Sequence, residues 1–334
     1  MTNPYAIVIA RHGGPEVLER HDVAPLTAGA GEVRVRVTHV ALNHLDTWVR
    51  RGVPGHDFGL PRIPGSDVAG EIDGRAVVLH PGWGCGSCAA CLAGRQNRCL
   101  GYRLRGENTD GGLRSEVVVP AWQCLPVPPG LTPAQACALP LTLLTAWHML
   151  VARARLQRGE RVLVQAGGSG VGVMAIQIAL LHGCEVHATA STLERRERLR
   201  ALGATPWSYE QIGKKGGDES GPRGFDVVCE SVGEATWEAS VRALKWGGRL
   251  VICGATSGAE AKINLRALFF KQLDLLGSTM GASAELLTAW GEVAAGRIKP
   301  VIHAILPLSR LAEGHAMLED RAAFGKIVIA METE

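Results

Sequence analysis

Between Arg161 and Gly277 the chain alternates short apolar runs with helix-length segments. Arg161–Gln165, Glu185–Thr189, Phe225–Glu230, Arg249–Cys253 and Leu273–Gly277 read as strands. Gly170–His182, Leu193–Leu202 and Trp237–Leu244 read as the helices between them. Strands joined through helices cannot pair as hairpins. They lie parallel, with right-handed crossovers, in a doubly wound sheet covered on both faces. This α/β pattern constrains the fold more than any other feature of the sequence.

The flanks differ. Glu32–Val40 alternates apolar and charged residues with period two, the mark of a half-buried strand, and Ala76–Leu79 and Glu116–Val119 are short β-branched runs. Thr132 before Pro133 signals a helix start. Beyond the central series, Ile302–Leu306 and Lys326–Ala330 read as strands around a helix at Leu311–Glu319. The expected division is a β-rich domain over 1–125, a parallel α/β domain over 126–296, and a return to the first domain over 297–334. Lys214–Gly217 with Gly221–Gly224 reads as a flexible surface loop.

Composition excludes several classes. At 334 residues and 46% hydrophobic, the chain is one large domain or two of ordinary size and can bury a real core, which excludes disorder. A net charge of +3 without long single-sign runs argues against nucleic-acid partners. The longest apolar runs fall short of the ~20 residues that cross a bilayer, so no membrane partner is expected. Met1–Ile9 carries no secretory pattern. Of nine cysteines, Cys124, Cys137, Cys184, Cys229 and Cys253 are scattered singly. That usage fits a reducing, cytoplasmic compartment.

After the run Val162–Val164 comes Ala166-Gly167-Gly168-Ser169-Gly170-Val171-Gly172, then an apolar helix. Small residues let the backbone approach a pyrophosphate, and the helix start offers free N–H groups. Gly167, Gly168, Ser169, Gly170 and Val171 are therefore the expected dinucleotide contacts, with Ser169 where the G-x-G-x-x-G fingerprint has its middle glycine. The next strand ends at Ala190-Ser191, without the carboxylate that NAD sites place on the ribose. Ser191 and Arg195 follow, a hydroxyl and a guanidinium suited to a 2′-phosphate, so NADPH is expected over NADH. Arg195 and Arg196 also read as part of a solvated helix face.

Cys85, Cys88, Cys91 and Cys99 have the spacing C-x₂-C-x₂-C-x₇-C, with glycines beside the ligands for sharp turns. Four thiolates this close fit one tetrahedral structural zinc in a lobe at about 80–105; an iron–sulfur cluster is the alternative on cysteine count alone. Four protein sulfurs leave the ion no open position.

Together with Ala41–Arg50 (ALNHLDTWVR) and Leu139–Trp147 (LPLTLLTAW), these motifs resemble the medium-chain dehydrogenase/reductase superfamily, in its zinc-containing alcohol dehydrogenase and quinone oxidoreductase branches. The resemblance covers nearly the whole chain. It implies a GroES-like, β-barrel-type catalytic domain, a Rossmann domain, and nicotinamide and substrate in a cleft between them. It also locates a departure. Where zinc alcohol dehydrogenases hold a catalytic ion, this sequence reads Asn43, Gly65-Ser66-Asp67 and Leu141. Leu42-Asn43-x-x-Asp46 and Leu144-Thr145-Ala146 are instead similar to the metal-free quinone oxidoreductases, which usually lack the cysteine lobe. A further departure is the short turn Asp73-Gly74-Arg75.

The implied activity is NADPH-dependent hydride transfer to a quinone or α,β-unsaturated carbonyl. Asn43 and Thr145 are the expected hydrogen-bond donors to the developing oxyanion, and Asp46 orients its neighbours. One alternative is a zinc alcohol dehydrogenase with a displaced metal site among His39, His44, Asp46, His56, Asp57 and Asp67. Another is an NADPH-binding protein without catalysis. Leu273–Gly277 would be a sheet edge, so a homodimer or a dimer of dimers is expected.

Overall fold

The computed structural model describes residues 3–212 and 224–332. It divides into two units, Met1–Leu141 with Lys299–Glu334, and Thr142–Ile298. The first boundary falls later than the expected 125/126. The helix Pro133–Cys137, capped by Thr132, packs on the first unit's strands Glu32–Ala41, Asp67–Ile72 and Arg75–Leu79, and so belongs with them. Of the surface loop expected at Lys214–Gly217 and Gly221–Gly224, all but Gly224 lies outside the described residues.

In the first unit, the long strand Glu32–Ala41 is central. It pairs antiparallel with Asp67–Ile72, Glu116–Pro120 and Lys326–Ala330. Its alternation is realised: Val35 and Val37 are buried while Arg34 and Arg36 face solvent. Burying Val35, Val37, Val40, Leu42, Ile327 and Ile329 together forms the core, at roughly 1.5–3 kcal/mol per fully buried side chain. The short turn resolves into a two-residue hairpin. Ile72 pairs with Arg75, and Asp73 and Gly74 take φ of 47° and 77°, the Asp-Gly conformation that suits strand twist. The cysteine lobe hangs from the short pair Gly82–Trp83 and Arg103–Leu104.

The second unit is the parallel sheet. Its strands are ordered Thr205–Trp207, Glu185–Thr189, Arg161–Val164, Phe225–Glu230, Leu244–Ile252, Asp274–Gly277. The strand expected at Arg249–Cys253 begins earlier, because Leu244 already pairs with Phe225 before the register shifts. Thr205–Trp207, the pair Tyr5–Val8 and Glu19–Asp22, and the helices His44–Arg51 and Ser283–Ala294 were not anticipated from sequence. Among the described residues no helix is long and apolar enough to cross a membrane.

Candidate functional site

The glycine turn lies in the second unit. The chain leaves Arg161–Val164 through Ala166, at φ 50°. A Cβ on Gly172 would stand 2.4 Å from the Ala166 carbonyl oxygen, and one on Gly167 would stand 2.8 Å from Ala188 Cβ. Both positions require glycine. Ser169 departs from the fingerprint for a local reason: its Oγ accepts the Gly172 N–H at 3.0 Å and caps helix Gly170–Leu181. The first helical N–H groups, those of Gly170 and Val171, have no intrahelical acceptor.

A buried polar chain braces this turn. Ala166 N–H donates to Thr189 Oγ1 (3.0 Å), Thr189 to Gln165 Oε1 (2.7 Å), Gln165 Nε2 to Ser240 Oγ (2.9 Å), and Ser240 to Glu230 (2.7 Å). Glu230 is fully buried and also accepts from Thr236 Oγ1 and the backbone N–H groups of Val232 and Gly233. Four donors replace its water, which is what a buried carboxylate needs. Sequence reasoning missed this chain, since its polar residues sit singly in strands and a helix.

After strand Glu185–Thr189, Ser191 is exposed. Thr192 caps helix Leu193–Ala201 by accepting the Arg195 N–H at 3.2 Å, which puts half-buried Arg195 in the first helical turn. Thr145 is buried in helix Pro140–Trp147 and directs its hydroxyl to Met280 Sδ at 3.8 Å. His148, also buried, contacts both oxygens of Glu285 (3.0 and 2.9 Å). That pair was not anticipated.

The first unit carries a denser polar cluster. Asp46 and Asp67 are fully buried. Asp46 spends its oxygens on the backbone N–H groups of Asn43 and Gly65, both at 2.8 Å, and burial pushes its carboxyl up to about 6 against those bonds. Asp67 accepts the Leu141 N–H (2.7 Å) and the Asn43 amide (3.0 Å). Lys326 Nζ reaches Asn43 Oδ1 at 2.5 Å and Asp67 Oδ2 at 2.9 Å. Strand register explains the meeting. Ala41 pairs with Asp67 on one side and Val328 on the other, and Leu42 N–H bonds the Ile327 carbonyl, so Asn43 arrives opposite Lys326. The Asn43 amide, expected to donate to a substrate, donates instead to Asp67 and, at 3.3 Å, to the Ala41 carbonyl. The sequence signal for Lys326 was a lone cation opening an otherwise apolar buried strand.

The four sulfurs of Cys85, Cys88, Cys91 and Cys99 lie within 4.8 Å of one another. Backbone N–H groups of Ser87 and Cys88 lower the Cys85 thiol to about 5, favouring the thiolate that binds metal. Spacing and chemistry fit a four-coordinate ion with Zn–S near ~2.3 Å. His39, His44, Asp46, His56, Asp57 and Asp67 form no comparable group among the described residues.

A unit with a parallel sheet and a dinucleotide turn and a unit with an antiparallel sheet and a buried polar cluster, in one chain, define an NAD(P)H-dependent oxidoreductase. The comparisons agree. The alcohol dehydrogenase GroES-like domain matches residues 29–129, and the zinc-binding dehydrogenase family matches residues 170–295. A quinone oxidoreductase of Pseudomonas aeruginosa is 32% identical over 97% of this chain and 98% of its own length. A crystal structure of an NAD-dependent alcohol dehydrogenase is 40% identical, with TM-score 0.91 over 98% of this chain and 100% of that one. A cobalt- and zinc-bound alcohol dehydrogenase from Pyrobaculum aerophilum is 32% identical, with TM-score 0.87 over 98% of this chain and 99% of that one. The chain belongs to the medium-chain dehydrogenase/reductase superfamily, in its quinone oxidoreductase-like branch.

Proposed function

We propose that the protein is an NADPH-dependent reductase of quinones or α,β-unsaturated carbonyls that works without a catalytic zinc. The observation that carries this reading is the ammonium of Lys326, which sits between Asn43 and Asp67 at positions where the resemblance places a catalytic ion. The donors there do not fit zinc: an amide already paired to the lysine, a leucine, and a serine whose hydroxyl donates to the Arg105 carbonyl at 2.6 Å. The bound nicotinamide supplies a hydride. In an enone or quinone the resulting negative charge moves to a remote oxygen, where less stabilisation is needed than for a simple alkoxide, and a solvent proton completes the reduction.

In this reading Gly167, Gly168, Ser169, Gly170 and Val171 cradle the pyrophosphate, and Ser191 and Arg195 bind the 2′-phosphate. In the first unit Asn43 and Asp46 serve the substrate, and in the second unit Thr145 is the proposed hydroxyl donor to it. The four cysteines hold one structural zinc. Nine cysteines without a disulfide among the described residues support a reducing, cytoplasmic setting. The edge strand Asp274–Gly277, with exposed Leu265, Phe269 and Phe270 preceding it, supports pairing with a second copy.

The test is cofactor titration of the wild-type and Arg195→Ala proteins. A charge-assisted contact contributes roughly 1.5–3 kcal/mol, about ten- to a hundred-fold in affinity. Arg195→Ala should raise the KM for NADPH by about that factor and leave NADH unchanged. Wild-type preference for NADH would favour the second reading, an alcohol dehydrogenase using NAD. The 40% identity to a protein of that description supports it.

A further inference from the structure

Two fully buried carboxylates, Asp46 and Asp67, stand in the cluster of the first unit. An anion of that kind, left uncompensated, opposes any negative charge developing nearby, and the opposition is far stronger in a weakly polar interior than in water. Asp46 is answered by two backbone N–H groups. Asp67 is answered by one backbone N–H, the Asn43 amide and the Lys326 ammonium. The side chains of Lys326 and Asp67 are 4% and 0% exposed, so solvent does not supply the balancing charge.

We propose that Lys326 is the internal cation of this site. It acts as a positioning residue that cancels the charge of Asp67 and so lets an oxyanion develop on the substrate without a metal. The inference rests on the reductase reading above. Lys326 also fixes the orientation of Asn43, because an ammonium at Oδ1 turns the amide protons toward Asp67 and Ala41. The other titratable groups that interact with the pair are Asp46, His44 and Cys137. Burial, Arg321 and Lys326 hold the His44 imidazole below its usual range. Burial and Asp67 hold the Cys137 thiol far above its own. Both are therefore neutral near pH 7, and among these groups Lys326 is the cation in contact with Asp67.

The experiment compares wild type, Lys326→Met and the double variant Lys326→Met/Asp67→Asn, with NADPH and two probes, 9,10-phenanthrenequinone and 2-cyclohexen-1-one. Lys326→Met should lower kcat by about tenfold or more while the NADPH Kd stays unchanged. The double variant removes both charges, leaves no unpaired ion to prevent folding, and should recover most of kcat. Undiminished kcat in Lys326→Met, or a folded double variant slower than wild type by the same factor as the single one, overturns the inference. If Lys326→Met does not fold, the double variant is compared with wild type: kcat near the wild-type value supports the inference, and a loss of about tenfold or more overturns it. Wild-type protein that turns over neither probe sinks the reductase reading and this inference with it. Wild-type turnover with any of the other adverse results sinks the inference alone.

Discussion

Gly172 illustrates what single residues impose. Its absent side chain is what lets helix Gly170–Leu181 start against the Ala166 carbonyl, and the obstacle to a Cβ is backbone, which cannot swing aside. Gly172→Ala should lower stability by about 1–3 kcal/mol and weaken dinucleotide binding together, as read by thermal unfolding and cofactor titration. That requirement was legible in the sequence, because steric need for glycine leaves a motif. Ser169 was legible only as a departure, since capping became evident from the Gly172 N–H it accepts. Lys326 and Glu230 were not legible as site residues. Each meets its partners through pairing between strands distant in sequence, and a lone charge in an apolar run says nothing about who answers it.

At the scale of elements, the strands of the parallel sheet could be read because each is a compact apolar run between helices. The helix His44–Arg51 could not, since its start depends on Asn43 and Asp46 exchanging bonds at its first turn. The cysteine lobe was read from spacing alone, and its four sulfurs do converge. If they hold one zinc, Cys91→Ser should abolish zinc retention by elemental analysis and lower the unfolding temperature, with kcat changed far less. Fully active wild-type protein free of zinc would remove that assignment. The edge strand Asp274–Gly277 yields another prediction. An unpaired edge offers its N–H and C=O groups to a second copy, and a lysine there discourages it. Wild-type protein should sediment as a dimer at micromolar concentration, and Leu276→Lys should shift it to monomer. A wild-type monomer at that concentration sinks the pairing.

The whole molecule titrates through groups that folding has removed from water. His315 is fully buried between the helices of the first unit, and neither ring nitrogen has a hydrogen-bond partner among the described residues. Burial, and then Arg50, drive its pKa down to about 3 from 6.5; burial drives His80 to about 4. Below pH 6.5 the unfolded chain protonates these rings and the folded one does not, so each contributes stability that is lost as pH falls toward its folded value. Asp46 runs the other way. With a folded pKa of about 6 against 3.8, it holds a proton that the unfolded chain releases, so its contribution is lost as pH rises from 3.8 through 6. Burial also lowers His39, His44 and His187, so the depressed histidines outnumber Asp46 and stability falls on acidification through this window. His315→Leu removes one histidine and an unsatisfied buried ring together. It should stabilise the protein at pH 7 by about 1 kcal/mol or more and flatten the slope between pH 4 and 6. Denaturant unfolding across that range measures both effects. An unchanged slope in the variant would show that His315 is protonated in the folded state and is not held neutral by its burial.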